Sequence, residues 1–206
     1  MHCAQAIISN ADAKRTFLEL VGREHLPESL AARPDAMKFS TSAIYAFLGV
    51  DFVPDIEPVV TIRTEQQKLG IMTPSKVDPS IAPRGHSAIT LIKFIPSDQA
   101  ATWDRHAPGY NERKHRYADQ MIALAEQVIP GLSQHIVYRQ EATPATVARY
   151  AWSTQGAIYG PAIGQGFQDP KSPIERLYLV GSSASHVGVE GVAISGMLTA
   201  DAVYRN

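Results

Sequence analysis

Gly181, Ser182 and Ser183, followed by Gly188, Val189, Gly191 and Val192, have the types and spacing of a turn and first helical turn behind a buried strand. A glycine after Leu177-Tyr178-Leu179-Val180 lets the backbone turn sharply, and the small residues next to it leave the main chain open to a ligand. A helix starting near Gly188 would aim unpaired N–H groups and partial positive charge at that gap, which suits a phosphate or an electron-rich ring. The same glycines would serve equally for close strand–helix packing with no ligand. His186 lies in the turn. Its ordinary pKa of about 6.5 allows an acid or a base role near neutrality, while a hydrogen bond at the helix start explains it as well. Glu190 gains from the helix dipole wherever it points. The usual companion of such a site, an early G-x-G-x-x-G after a first strand, is nowhere in the chain.

Other residues admit two readings each. Asn10 and Asp12 could approach a cofactor ribose, or cap the helix that follows them. His86 could line a substrate channel or be an ordinary surface residue. Tyr159, between Gly156 and Gly160, could face a cofactor or an apolar substrate, or simply pack. Tyr45, Phe47, Leu48, Phe52 and Phe94 could form an apolar pocket, or a core.

The elements that must position these residues follow from pattern. Ala4 to Ser9 is a short apolar run of the buried-strand kind, and Asn10 and Asp12 supply caps for a helix over about 13–21 that Gly22 stops. Pro27 opens a short helix through Leu30. Strand chemistry recurs over 37–50, 59–64 and 88–95, broken by prolines, and suggests an antiparallel sheet. The longest helix is predicted over 111–128, with Tyr117, Met121, Leu124 and Val128 on one face and Pro130-Gly131 as its end. A strand near 136–139, a short helix opened by Thr143-Pro144 and a glycine-rich stretch over 156–166 lead into the closing strand and helix. The two ends resemble each other more than either resembles the middle, so the termini complete one α/β layer and the middle forms a second lobe.

Bulk properties exclude some classes. A formal net charge of −1 leaves no basic excess to follow a phosphate backbone, which argues against nucleic acid as a ligand. The single cysteine, Cys3, allows no internal disulfide, and no Cys/His pair has zinc-ligand spacing, so no metal site is expected. No run of about 18 apolar residues and no signal-peptide layout occurs, which suggests a cytoplasmic protein with peripheral membrane contact still open.

The segment 177–201 resembles the C-terminal flavin-binding signature of the phytoene desaturase family of FAD-dependent oxidoreductases, which includes carotenoid isomerases and retinol saturases. Further segments fall in the order that family shows: Ile7-Ile8-Ser9-Asn10-Ala11-Asp12, Ala82-Pro83-Arg84-Gly85-His86, Ile129-Pro130-Gly131-Leu132, Thr143-Pro144 and Gly156-Ala157-Ile158-Tyr159-Gly160. The resemblance spans the whole chain but only the C-terminal half of such enzymes, whose N-terminal dinucleotide fold would lie upstream of residue 1. The family's His-Pro-Gly-Gly-Gly-like turn is here Ala184-Ser185-His186-Val187-Gly188.

The resemblance implies a mixed α/β fold, with a sheet-rich substrate lobe (23–172) containing one long helix. Terminal strand–helix pieces (1–22 and 173–206) of an incomplete FAD-binding Rossmann-like domain bracket it. It implies FAD held at Gly181, Ser182, Ser183, Gly188, Val189, Gly191 and Val192, with His186 and Tyr159 as catalytic candidates. The chemistry implied is hydride exchange between flavin and a polyene or other apolar substrate, in desaturation, saturation or isomerisation. Without the glycine fingerprint the chain alone is expected to be inactive, and a separate N-terminal FAD-binding subunit is an implied partner. A split subunit, a gene fragment and a repurposed binding domain all fit, and the competing function is a non-catalytic apolar-ligand carrier or interaction module.

Overall fold

The computed structural model describes residues 5–65, 67–166, 170–184 and 187–205. Cys3 and His186 lie outside them. In chain order the strands are β1 (Ile7–Ser9), β2 (Ser42–Val50), β3 (Val59–Arg63), β4 (Lys68–Met72), β5 (Ser87–Ile95), β6 (Ile136–Ala142) and β7 (Leu177–Leu179). The α-helices are α1 (Ala13–Arg15), α2 (Glu28–Ala31), α3 (Arg33–Ala36), α4 (Ser97–Ala100), α5 (Tyr110–Ala125), α6 (Pro144–Ala151) and α7 (Gly188–Tyr204). The mixed α/β class read from the sequence holds, and the chain divides into two compact units, Met1–Ser42 with Val147–Asn206, and Ala43–Thr146.

In the first unit the two ends of the chain meet. β1 and β7 pair in parallel, Ile7 opposite Leu177 and Ser9 opposite Leu179. α1 runs straight into a π-helical turn, Thr16–Gly22, so the helix expected over 13–21 forms in a wider winding. Asp12 caps it, accepting from the Arg15 amide at 3.1 Å, and Gly22 ends it at φ +94°. Phe17, Leu30, Phe39, Leu177 and Leu179 form its core, with the Ser9 and Thr16 hydroxyls joined at 2.7 Å beside them. α7 attaches to β7 through small polar residues: Ser195 accepts from the Gly181 amide at 3.0 Å, and Thr199 donates to the Leu179 carbonyl at 3.2 Å. Much of the rest of α7 is apolar and outward, including Val189 (89% exposed) and Met197 (73%), and β1 leaves Ile7 60% exposed. Parallel strands are ordinarily covered on both faces, so this uncovered apolar surface is unusual.

In the second unit five strands lie in the order β3-β4-β5-β2-β6. The expected antiparallel pairing is present between β3 and β4, β4 and β5, and β2 and β6. Alternate residues Ile44, Leu48, Val50, Leu69, Ile71, Ile89 and Leu91 turn to one side and pack with Met121, Ile122 and Ala125 of α5. The long helix begins on left-handed Gly109 and ends at Ala125, three residues before the predicted end; Val128 still packs on the core from the turn that follows. β4 has no counterpart in the sequence reading. Its central Gly70 makes a five-residue strand look like a turn, yet it sits opposite Ile92, where a Cβ would fall 2.7 Å from the Ile92 Cγ2. Arg139 of β6 binds Asp119 of α5 at 2.7 Å and the buried Glu141 at 2.6 Å, tying helix to sheet. No described helix is long and apolar enough to cross a membrane.

Candidate functional site

The carboxyl ends of β1 and β7 lie side by side because the strands are parallel, and the segments leaving them border a cleft of about 260 Å³. Ligands of open α/β sheets bind in this place relative to the strands. Asn10 and Asp12 come from the segment after β1, Ser182 from the turn after β7, Ser153 from the residues leading into the glycine-rich stretch, and Ile158 and Gly160 from that stretch itself. Three segments far apart in sequence thus meet at one polar-edged opening.

Close backbone approach holds them together. Gly160 has φ +66°, and a Cβ there would fall 2.6 Å from the Ser182 carbonyl oxygen, so only glycine lets these two main chains touch. Gly181 has φ +78°, and a Cβ there would fall 2.2 Å from Asn10 Oδ1, so the first loop closes over the second. Asp12 does two jobs. Besides capping α1, its carboxylate accepts from the Thr154 amide at 2.8 Å and the Thr154 hydroxyl at 2.9 Å. Arg15 then lies over the Trp152 ring at 5.3 Å.

The sequence-derived positions distribute unevenly. Ser182 lines the cleft and Gly181 begins its turn, with the Gly181 amide committed to Ser195. Ser183 continues the 3-10 turn Gly181–Ala184. Gly188, Val189 and Val192 are exposed on the first turns of α7 and Gly191 is half-buried; none of the four is among the described walls of the cleft. The N-cap Val187 makes no side-chain hydrogen bond to the helix start. Tyr159 is exposed next to Gly160, its amide donating to Ser40 Oγ at 3.2 Å. Asn10 and Asp12, read mainly as caps, both reach the cleft. Ser153 was missed by sequence reasoning; the polar Ser153-Thr154 pair just before Gly156 is the only signal it offered.

The second unit carries its own groove of about 400 Å³, mostly apolar, bordered by Phe47, Ile81, Pro83, Ala88 and Tyr138. His86 stands at its edge with its ring Nδ1 3.2 Å from the Arg84 carbonyl oxygen. Of the pocket residues proposed from sequence, Phe47 presents its ring to this groove, whereas Leu48 and Phe52 pack with the core on the other side of the sheet. Among the described residues no three His, Cys, Asp or Glu side chains gather as a metal site would require.

Comparison with known proteins bears out the resemblance drawn from the motifs. The chain is 28% identical over 222 residues to prolycopene isomerase 2 of an Oncidium hybrid cultivar, covering 97% of this chain and 37% of that protein. It is 30% identical over 140 residues to a 4,4'-diaponeurosporene oxygenase of Staphylococcus haemolyticus, covering 65% of this chain and 27% of that protein. No family model matches. Among solved structures, an oxidoreductase of Methanosarcina mazei superposes over 97% of this chain and 43% of its own, with a TM-score of 0.61 at 19% identity. Cyclohexylamine oxidase of Brevibacterium oxydans covers 98% of this chain and 43% of its own, with a TM-score of 0.58 at 16% identity. The fold is therefore that of part of these oxidoreductases, and the chain spans well under half the length of each of these relatives.

Proposed function

We propose that this chain is the C-terminal, flavin-covering portion of an FAD-dependent oxidoreductase or isomerase of the phytoene desaturase kind, acting on a polyene or other apolar substrate. The observation that carries this reading is the convergence of Asp12, Ser153, Gly160 and Ser182 on one cleft at the carboxyl ends of two parallel strands. The residues there suit a flavin. They offer small hydrogen-bonding side chains, a glycine, Gly160, that keeps one wall thin, and the buried Ser153 hydroxyl without a partner among the described residues. When bound, a flavin supplies the capacity to accept a hydride from carbon or return one.

This chain's part is to position and to exclude. The turn from Gly181 to Ala184 and the start of α7 present fixed backbone dipoles, which favour negative charge on a neighbouring ring without reorganising. The groove bordered by Phe47 and Tyr138 offers an apolar wall to a hydrocarbon chain. A dinucleotide-binding part completes the cofactor site by holding the pyrophosphate, and it packs on the uncovered apolar surface of β1 and α7. The lengths of the relatives, of which this chain spans well under half, support such a part.

The same groove also suits a non-catalytic carrier of apolar ligands. Titrating the chain with riboflavin 5′-phosphate, followed by flavin fluorescence, separates the two readings. Saturable quenching is expected for the flavin-covering role. No quenching, alongside saturable uptake of retinol, would replace it with the carrier.

A further inference from the structure

The backbone around Ser153 is held in an unfavourable form. Among the described residues the non-glycine positions with left-handed backbone are Trp152 (φ 51°), Gln155 (φ 56°) and Arg176 (φ 61°), and the first two flank Ser153 and Thr154. Left-handed backbone at residues with a Cβ persists only where the surroundings enforce it, and it gathers at ligand-holding sites. The enforcement here is visible. Asp12 takes both the amide and the hydroxyl of Thr154, Arg15 covers Trp152, and Ser42 donates to the Gly156 carbonyl at 2.6 Å. The Gly156 and Ala157 amides turn back to the Ser153 and Thr154 carbonyls at 3.3 and 3.1 Å.

At the centre of this clamp Ser153 borders the cleft, and its hydroxyl, turned inward and shielded from solvent, has no hydrogen-bond partner among the described residues. A serine hydroxyl both donates and accepts and rotates freely to suit a partner. Buried polar atoms are almost always satisfied, so one left over beside an opening marks where a ligand atom completes the bond.

We propose that Ser153 is a cofactor-contacting residue whose hydroxyl hydrogen-bonds a polar group of the flavin in the cleft. Either a ring carbonyl or nitrogen, or a hydroxyl of the ribityl chain, has the required chemistry. The strained loop from Trp152 to Gly156 sets this contact in advance. The inference rests on the flavin-covering reading above and adds to it a residue that neither the motif resemblance nor the relatives assign.

The test compares the parent chain with Ser153→Ala in fluorescence titrations with riboflavin 5′-phosphate and with lumichrome, which lacks the ribityl chain, and in thermal unfolding without flavin. Loss of one hydrogen bond should weaken riboflavin 5′-phosphate binding about three- to tenfold. An equal loss with lumichrome places the contact on the ring, and no loss with lumichrome places it on the ribityl chain. The flavin-free Ala variant should unfold at the same temperature as the parent or higher, because it removes a hydroxyl with nothing to bond. If the parent binds and the variant binds as tightly, the Ser153 contact is wrong while the flavin-covering reading stands. If the flavin-free variant is markedly less stable, the hydroxyl serves the fold and the contact is also wrong. If the parent does not bind, both fall.

Discussion

Asp12 and Thr154 are joined across 142 residues of sequence by two hydrogen bonds to one carboxylate, at 2.8 and 2.9 Å, while the same carboxylate caps α1. This contact fastens the loop after β1 to the segment leading into the glycine-rich stretch and so shapes one side of the cleft. Asp12→Ala removes the cap and both bonds, and is expected to lower the stability of the first unit by about 2–3 kcal/mol. Asp12→Asn keeps an acceptor and should lose about half of that. Urea unfolding of the three proteins measures it, and an Ala variant with an unchanged midpoint would contradict the clamp.

The glycines of the site should rank by what surrounds them. Gly160→Ala puts a Cβ 2.6 Å from a backbone oxygen of Ser182, which cannot withdraw without opening the cleft, and is expected to be the most damaging. Gly181→Ala meets only the tip of Asn10, which can rotate away, and Gly188→Ala meets nothing within 4 Å. Both still carry the left-handed backbone penalty of about 1 kcal/mol. Thermal unfolding of the three variants gives the order.

Acid should weaken the second unit through Glu126. The Ser133 hydroxyl, and then the Ser133 amide, donate to its carboxylate and hold its pKa below the ordinary glutamate value. A carboxylate with a depressed native pKa stabilises the fold above its unfolded pKa of about 4.3, and that contribution is lost as pH falls through the native value. Ser133→Ala returns Glu126 toward the ordinary value. Its melting temperature should therefore fall less than the parent's between about pH 5 and about pH 3. Equal falls in the two proteins would remove Glu126 from the acid response.

The apolar groove of the second unit makes a separate prediction. Phe47 is 37% exposed and stacks on Tyr45 at 5.6 Å, presenting a ring to the groove. Phe47→Ser should weaken retinol uptake by roughly tenfold, the scale of one aromatic contact area lost from a bound hydrocarbon. Retinol fluorescence titration reads this directly, and unchanged affinity would place the ligand elsewhere.

Elements with a strong period or a clear cap were legible in the sequence. The Met121–Leu124 face of α5, the Asp12 cap and the closing strand and helix are where pattern put them. β4 was not, because Gly70 reads locally as a turn and only the facing Ile92 explains it. The cleft was half legible. Gly181 and Ser182 stand in a recognisable motif, whereas Ser153 acquires meaning only from a fold that brings residue 12 and residue 182 to its side. Spacing in sequence carries no trace of such a contact, and the left-handed backbone at Trp152 and Gln155 is set by tertiary clamps rather than by residue type.

The central claim, that this chain covers a flavin at the carboxyl ends of β1 and β7, is tested most directly by amide NMR of the chain titrated with riboflavin 5′-phosphate. The resonances of Asp12, Ser153, Thr154, Gly160, Ser182 and the first turn of α7 are expected to move together along one saturable curve, while those of the Phe47–Tyr138 groove stay in place. Shifts confined to the groove, or none at all on a well-dispersed spectrum, would contradict it.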